Sequence, residues 1–311
     1  MAISVHKPPL ALIAGPTASG KSALALAFAK RTRGVIVNAD SAQVYRDLPV
    51  LSAAPTAEEL SQAEHRLYGY LDGAEACSAA DWAERTKVEI SEIQSSGRLP
   101  ILTGGSGLYL RTLLNGIAPI PAISTEVRTQ VREASVQDNR RRLGKLDSLG
   151  AARLGENDST RVARALEVVL STGKSLADWQ QRREGGIADQ VDLKALILLP
   201  PRDWLYARCN ARFAAMIEQG AVHEVRSLLE RGLNSSQPVM RAIGVREIAA
   251  YLSDETSLDE AVAAGQQATR RYAKRQYTWF AHQPPADWPR FTDPLEPSAL
   301  PRALELLIAK A

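Results

Sequence analysis

The sequence predicts an α/β protein: a three-layer core around a parallel sheet, a small all-helical insertion, and an Arg-rich helical C-terminal part. Three observations carry that prediction. First, the apolar run Leu10-Ala11-Leu12-Ile13-Ala14 reads as a buried strand, leads directly into Gly15-Pro16-Thr17-Ala18-Ser19-Gly20-Lys21-Ser22, and is followed over 23–30 by helix formers. Second, short strand patterns recur at 34–37, 99–103 and 193–199, with helical patterns between them. Third, residues 125–184 show helical patterns alone, with polar and Arg-rich composition, and so interrupt the core. The expected organisation is 1–120 for the first part of the core, 121–188 for the helical insertion, and 189–311 for the last strand and the C-terminal helices.

The segment opening at Gly15 fits the phosphate-binding pattern of glycine, four residues, glycine, lysine and a hydroxyl residue, which makes the core P-loop NTPase-like. Strand, glycine loop and helix together aim free backbone N–H groups and a positive helix end at an anion. Gly15, Thr17, Ala18, Ser19, Gly20, Lys21 and Ser22 form the expected diphosphate-binding set. Lys21 adds a point charge, and the Ser22 hydroxyl is the candidate ligand for Mg2+. The chain is expected to bind a diphosphate or a triphosphate.

The second strand pattern runs into Asn38-Ala39-Asp40-Ser41. Loops at the carboxyl ends of parallel strands line the ligand crevice, which brings Asp40 near the phosphate loop. Residues 49–55 read as irregular. Thr56 caps a short helix containing Glu58, Glu59 and Leu60, and Ser78 with Asp81 opens a helix to Ser95 that Gly97 ends. Trp82, Val88 and Ile93 of that helix are expected in the core. The strand at 99–103 leads to Gly104-Gly105-Ser106-Gly107 and a helix over 108–114. In this second glycine turn Ser106 either caps the helix or turns its N–H and hydroxyl to the crevice. Gly116, Pro119 and Pro121 mark a linker, Gly185-Gly186 closes the insertion, and Pro200-Pro201 ends the last strand. The remainder reads as helix. Asp203 caps one that reaches Gln219 and stops at Gly220, others cover 221–230 and 245–252, and Ser257 opens one over 258–280, roughly 35 Å long.

A chain of 311 residues has room for one large α/β domain and a smaller one. Hydrophobic and charged contents of 45% and 23% are those of a globular protein. No apolar run approaches the roughly 20 residues that span a bilayer, and Met1 to Pro9 lacks an apolar leader. A cytoplasmic protein without a membrane partner is expected. Cys77 and Cys209 make neither a disulfide framework nor a zinc site. The net charge of +3 is modest, but basic residues gather in Arg140-Arg141-Arg142, in Arg161/Arg164 and from Arg270 to Arg275. Such clusters fit a nucleic-acid face, and each by itself also fits a solvated helix surface.

A phosphate loop supports many chemistries. An ATPase or a small-molecule kinase would use Asp40 to hold magnesium, yet neither accounts for the Arg-rich C-terminal helices. Beyond Gly15–Ser22, the distinctive segments are Asp40-Ser41-Ala42-Gln43-Val44-Tyr45, His65-Arg66-Leu67, the run SAADW from Ser78, TGGSGLYL from Thr103 and NDSTRVARALEV from Asn157. The C-terminal part adds ARF from Ala211, MRAIGVREI from Met240 and ATRRYAKRQYTWF from Ala268. With these segments spread over nearly its whole length, the chain closely resembles the tRNA dimethylallyltransferases.

That resemblance implies transfer of a dimethylallyl group from dimethylallyl diphosphate to the exocyclic N6 amine of the adenosine just 3′ of a tRNA anticodon. It implies Asp40, Ser106 and Arg212 as catalytic residues. Asp40 would take or hold the amine proton, its alternative being a magnesium ligand or helix cap. Arg212, in the ARF segment, would join Lys21 and Mg2+ in stabilising the diphosphate leaving group. Ser106 stands where the family usually has threonine. The implied tRNA-binding residues are Asp40, Ser41, Gln43, Arg161, Arg164, Arg241, Gly244, Arg246, Lys274, Arg275, Gln276 and Trp279. Tyr277 and Trp279 either stack on splayed bases or belong to the core. A monomer is expected. Two departures bear on phosphate binding: Leu51-Ser52-Ala53-Ala54-Pro55 lacks a lysine common in the family, and Gly69-Tyr70 replaces an aspartate. Prenylation of free AMP or ADP is the neighbouring chemistry, for which the basic helices would be superfluous.

Overall fold

The computed structural model describes residues 7–156 and 158–308. Residues 1–6 of the N-terminal segment, and Asn157 at the head of NDSTRVARALEV, lie outside the described residues. The strands are β1 (Pro9–Ala14), β2 (Val35–Asn38), β3 (His65–Arg66), β4 (Pro100–Gly104), β5 (Asp192–Leu198) and β6 (Arg290–Phe291). The helices are α1 (Lys21–Thr32), α2 (Pro49–Ser52), α3 (Ala57–Gln62), α4 (Ala79–Ser95) and α5 (Gly107–Asn115), then α6 (Thr125–Glu133), α7 (Val136–Leu146), α8 (Ser148–Arg153), α9 (Ser159–Thr172) and α10 (Leu176–Gln180). The last five are α11 (Arg202–Glu218), α12 (Ala221–Glu230), α13 (Val245–Leu252), α14 (Leu258–His282) and α15 (Leu300–Ile308).

By Cα packing the chain divides into two compact units, residues 1–113 with 188–311, and residues 114–187. In the first, β1 is apolar and buried from its second residue onward, and its leading Pro9 lacks only an N–H that a strand's first position can spare. Among the described residues the sheet is six-stranded in the order β3-β2-β4-β1-β5-β6, and every pairing is parallel. Pairing of Ala14 with Gly104 and of Asn38 with Thr103 brings the carboxyl ends of β1, β4 and β2 level. Helices α1 and α15 bury Leu24, Phe28 and Leu307 against Ile13, Ile101 and Leu196. Burial of such side chains contributes roughly 1.5–3 kcal/mol each. Capping boxes at Thr56/Glu59, Ser78/Asp81 and Ser257/Glu260 start α3, α4 and α14.

The basic end of the chain is tied to the core by an i, i+4 pattern. Helix α14 buries Ala261, Gly265, Thr269, Ala273, Gln276 and Phe280 along one face, and α11 buries Leu205, Cys209, Phe213 and Met216. The two helices pack together, and Gly265 is small where it must be, since a Cβ there would stand 2.0 Å from the Phe213 ring. At 25 residues α14 extends about 37 Å.

The helical unit, by itself, packs Val131, Leu143, Val162, Leu166 and Val169 into a small core. Its buried Glu167 accepts from Arg132 Nε at 3.1 Å and pairs with Arg164 Nη1 at 3.6 Å. Its two chain ends run side by side: Ile117 and Glu184 exchange backbone hydrogen bonds of 3.1 and 3.0 Å. That clasp is why the unit spans 114–187 rather than the expected 121–188, the linker belonging to it.

Other differences follow from long-range packing. Residues 49–52 form α2 because Glu224 of α12 accepts from Val50 N and Leu51 N at 2.7 and 2.9 Å, a cap 174 and 173 residues away in sequence. Strands β3 and β6, two residues each, are too short for any period; β6 corrects the all-helical reading of the C-terminal part. Arg66 of β3 is pinned by Glu64, Glu89 and Glu92. Val88 is exposed, and Thr86 and Ile90 take the core positions of α4 beside Trp82 and Ile93. Pro201, not Asp203, is the N-cap of α11, with Asp203 in its first turn.

Candidate functional site

Helix α1 begins without the capping box that starts α3, α4 and α14. Its N-cap is Gly20 in the left-handed region (φ 96°), no side chain caps it, and its first turn holds no acidic residue. Its leading N–H groups and dipole are therefore left for an external anion. Gly15, at φ 154°, has no room for a side chain, because a Cβ would meet Leu198 O at 2.5 Å. Lys21 Nζ donates to Pro16 O at 2.6 Å, folding the lysine over its own loop. Burial lowers the Lys21 pKa to about 8; the Asp40 charge opposes that fall and Arg212 adds to it. Ser19 is buried within the loop, while Ser22 is exposed at the helix start.

Helix α11 braces this loop from one side. Arg208 Nε donates to Ala18 O at 3.1 Å, and Arg212 donates to the Thr17 hydroxyl. The arginines are four residues apart and so share a helix face. Burial pushes the Arg212 guanidinium below its usual range, with the Asp40 charge acting against it.

Asp40 follows β2 and is held from within the core. Asn38, fully buried, accepts from Asp40 N at 2.8 Å and donates to Asp40 O and Leu67 O, both at 3.0 Å. Trp82 Nε1 donates to Asn38 O at 3.0 Å, and the Asp40 carboxylate accepts from Ala42 N at 3.0 Å, an Asx-turn. From β4, Ser106 Oγ accepts from Ser41 N at 2.8 Å and donates to Ser41 Oγ at 3.1 Å. Ser106 does not itself line the crevice: its N–H donates to Ala39 O at 3.2 Å and its hydroxyl is turned to Ser41, so it braces the Asp40 segment from behind.

Two adjoining chambers result, sharing Thr17, Asp40, Ser52 and Arg212. The first, about 510 Å³, is the more polar of the two and is lined by Lys21, Ser22, Thr103 and Arg208. The second, about 330 Å³, is lined by Tyr45, Leu51, Tyr109, Met216, Val239 and Tyr272, with Arg241 and Arg275. Burial first, and then the Asp40 charge, holds the Tyr272 phenol well above its ordinary range, so it stays neutral. Asp40 thus stands where a chamber lined by Lys21, Arg208 and Arg212 meets a more apolar one.

Several expected tRNA contacts are placed elsewhere. Gln276 is 6% exposed and both ends of its amide serve the protein, so it corrects to an internal residue. Gly244 is buried as the left-handed N-cap of α13, with Leu51 and Phe213 where a side chain would go. Trp279 packs over Gly107 and edge-on to Phe280, and Tyr277 bonds Leu199 O beneath Arg202, so both rings are engaged by packing. Gln43 spends its amide donors on Ser52 O and Ala53 O, at 3.0 and 2.7 Å. Arg241, Arg246, Lys274 and Arg275 are exposed; so is Arg161 on the helical unit, beside Asp158, whereas Arg164 there is half-buried and pairs with the buried Glu167. Sequence reasoning passed over Asn38, Thr103, Arg208 and Tyr272 as site residues. A polar residue closing an apolar strand, and an arginine one turn before Arg212, were the available signals.

The family model for IPP transferase matches residues 43–283. A tRNA dimethylallyltransferase of Sphingopyxis alaskensis is 58% identical over 287 residues, covering 92% of this chain and 94% of the relative. That of Erythrobacter litoralis is 58% identical over 290 residues, covering 92% of each. Among solved structures, the full-length tRNA isopentenylpyrophosphate transferase of Bacillus halodurans superposes with a TM-score of 0.71 at 33% identity, covering 98% of this chain and 97% of that one. A eukaryotic dimethylallyltransferase acting on tRNA gives 0.75 at 26% identity, covering 87% and 69%.

Proposed function

This chain belongs to the IPP transferase family, and on that premise we propose how its crevice divides the labour of tRNA dimethylallyl transfer. The observation that carries the reading is Asp40, locked by Asn38, facing Lys21 and Arg212 where the two chambers meet. The diphosphate of dimethylallyl diphosphate occupies the polar chamber, held by the α1 amides, Lys21 and Arg212. The adenosine, flipped from its stack, presents its N6 amine at Asp40. As the amine nitrogen bonds to C1 of the allyl group, the C1–O bond breaks and the electron pair leaves with the diphosphate. Lys21 and Arg212 stabilise that growing charge. A carboxylate is a weak base for an aromatic amine, so Asp40 accepts the proton after N–C bonding is under way.

The residues present fit Mg2+. Ser22 Oγ, the Asp40 carboxylate and Thr103 supply hard oxygens around the polar chamber, and Thr103 Oγ1 is buried without a hydrogen-bond partner. Among the described residues no group of three or more His, Cys, Asp or Glu could hold a metal, so Ser22 and diphosphate oxygens would complete its shell. When bound, Mg2+ neutralises leaving-group charge.

For tRNA, Arg241 and Arg275 at the apolar chamber, with Arg246 and Lys274, would grip the backbone of the anticodon stem-loop; Arg161 and Arg164 would do so from the helical unit. Ser41 and the side-chain Oε1 of Gln43 would meet the target base or its neighbour. Among the described residues no helix is long and apolar enough to cross a membrane. A monomer meeting its tRNA in the cytoplasm fits this reading.

The test is transfer of label from dimethylallyl diphosphate to an anticodon stem-loop, beside an AMP control. Label on the stem-loop, lost in Asp40→Asn with stem-loop binding retained, is expected. Label on AMP alone would overturn the tRNA assignment.

A further inference from the structure

The two loops that must cooperate in the proposed reaction come from different strands. The loop after β1 holds the leaving group. The turn after β4, through Ser106 and Ser41, holds the segment carrying Asp40. One side chain spans the gap between them. Gln276, buried on the core face of α14, accepts from Thr17 N through Oε1 at 2.8 Å and donates from Nε2 to Gly105 O at 2.8 Å. Its neighbours are built around it. A Cβ on Gly105 would stand 2.3 Å from Gln276 Nε2, so residue 105 must be glycine for the amide to reach its carbonyl. One turn along, Gly107 gives way in the same manner to Trp279. Thr17 is held twice, by Gln276 at its N–H and by Arg212 at its hydroxyl.

We propose that Gln276 is a positioning residue for the transfer, the strut that sets the distance between the diphosphate loop and the Asp40 segment. An unbroken chain of contacts connects Arg212, Thr17, Gln276, Gly105, Ser106, Ser41 and Asp40. Only an uncharged group with a donor and an acceptor suits the place, and at neutral pH the amide is that group. The strut needs one acceptor facing an N–H and one donor facing a carbonyl, about the length of a glutamine apart. Lysine and arginine have no acceptor, and a carboxylate has no donor. An in-line displacement is sensitive to this spacing, since about 1 Å of misplacement can cost on the order of 100-fold in rate. The inference rests on the proposed assignment of Asp40 and the diphosphate loop.

The test uses the full chain, single-turnover transfer to the stem-loop, and pyrophosphate affinity by calorimetry. Gln276→Met keeps the size and removes both bonds. It should lower the single-turnover rate about 30- to 100-fold while pyrophosphate affinity changes less than about 5-fold. In Gln276→Glu the ionised carboxylate repels Gly105 O, whereas its protonated form restores both bonds. Its rate relative to wild type should therefore rise as pH falls, a profile that a merely space-filling residue would not give. Rates within about 3-fold of wild type in Gln276→Met, or a pH-independent ratio in Gln276→Glu, overturn the proposal; the second decides should the first variant fail to fold. A wild-type protein that transfers no label overturns the proposed function instead.

Discussion

Asn38 carries no reacting atom, and its replacement tests whether Asp40 acts because of where the fold holds it. Asn38→Leu keeps volume and removes three hydrogen bonds, stranding Asp40 N, Asp40 O and Leu67 O. A net loss of about 1 kcal/mol per bond gives roughly 3 kcal/mol, rising where the stranded groups stay dry. A fold stable by about 5–15 kcal/mol withstands that loss. The Asx-turn through Ala42 would remain, so the carboxylate stays in the crevice but is free to shift. A rate loss of on the order of 100-fold is expected, with pyrophosphate affinity nearly intact. Single-turnover transfer, calorimetry with pyrophosphate, and urea unfolding measure the three quantities. A variant that loses about 3 kcal/mol of stability yet transfers at the wild-type rate would refute the claim that Asp40 must be held.

Four further outcomes follow from the geometry. Because Lys21 titrates at about 8 in the free protein, kcat/KM for dimethylallyl diphosphate should fall as pH rises through that value, and Lys21→Arg should abolish this limb. The sign for stability is opposite: a lysine pKa lowered from 10.5 means the charged form costs stability below about pH 8, and the cost fades as pH rises from there towards 10.5. Gly104→Ala puts a Cβ 2.1 Å from the Ala39 carbonyl, and should lower the stability measured by urea unfolding by roughly 1–3 kcal/mol or more. Arg241→Gln and Arg275→Gln should each weaken stem-loop binding and reduce its salt slope by about one, leaving dimethylallyl diphosphate affinity unchanged. Chelation of Mg2+ should weaken pyrophosphate binding in calorimetry, and Ser22→Ala should remove most of that metal dependence.

Much of the site was legible because its signals are local. A phosphate loop is a matter of consecutive backbone geometry, so Gly15, Gly20, Lys21 and Ser22 declare it within eight residues. Asp40 at the end of a strand pattern, and the capping boxes at Thr56, Ser78 and Ser257, are local in the same sense. What each polar side chain does when several elements meet is not local. The basic and aromatic residues of α14 alternate along the sequence, but the helix shows Gln276 inward and Lys274 and Arg275 outward. The sequence read all three as one tRNA-gripping set. Helix α2 escaped notice because its cap comes from Glu224, and β6 because two residues have no period.

By itself the sequence determined the α/β class, the glycine loop between β1 and α1, the carboxylate near it and, through segments spread over its length, the family. Those properties rest on consecutive residues or on patterns repeated along the chain. Only the tertiary structure decided which side chains face the crevice and which brace it: Asn38 under Asp40, Arg208 and Arg212 along the loop, Gln276 between the two glycine turns. The physical reason is that a buried polar group must find its partner wherever folding brings one. For Gln276 and Thr17 that partner lies 259 residues away.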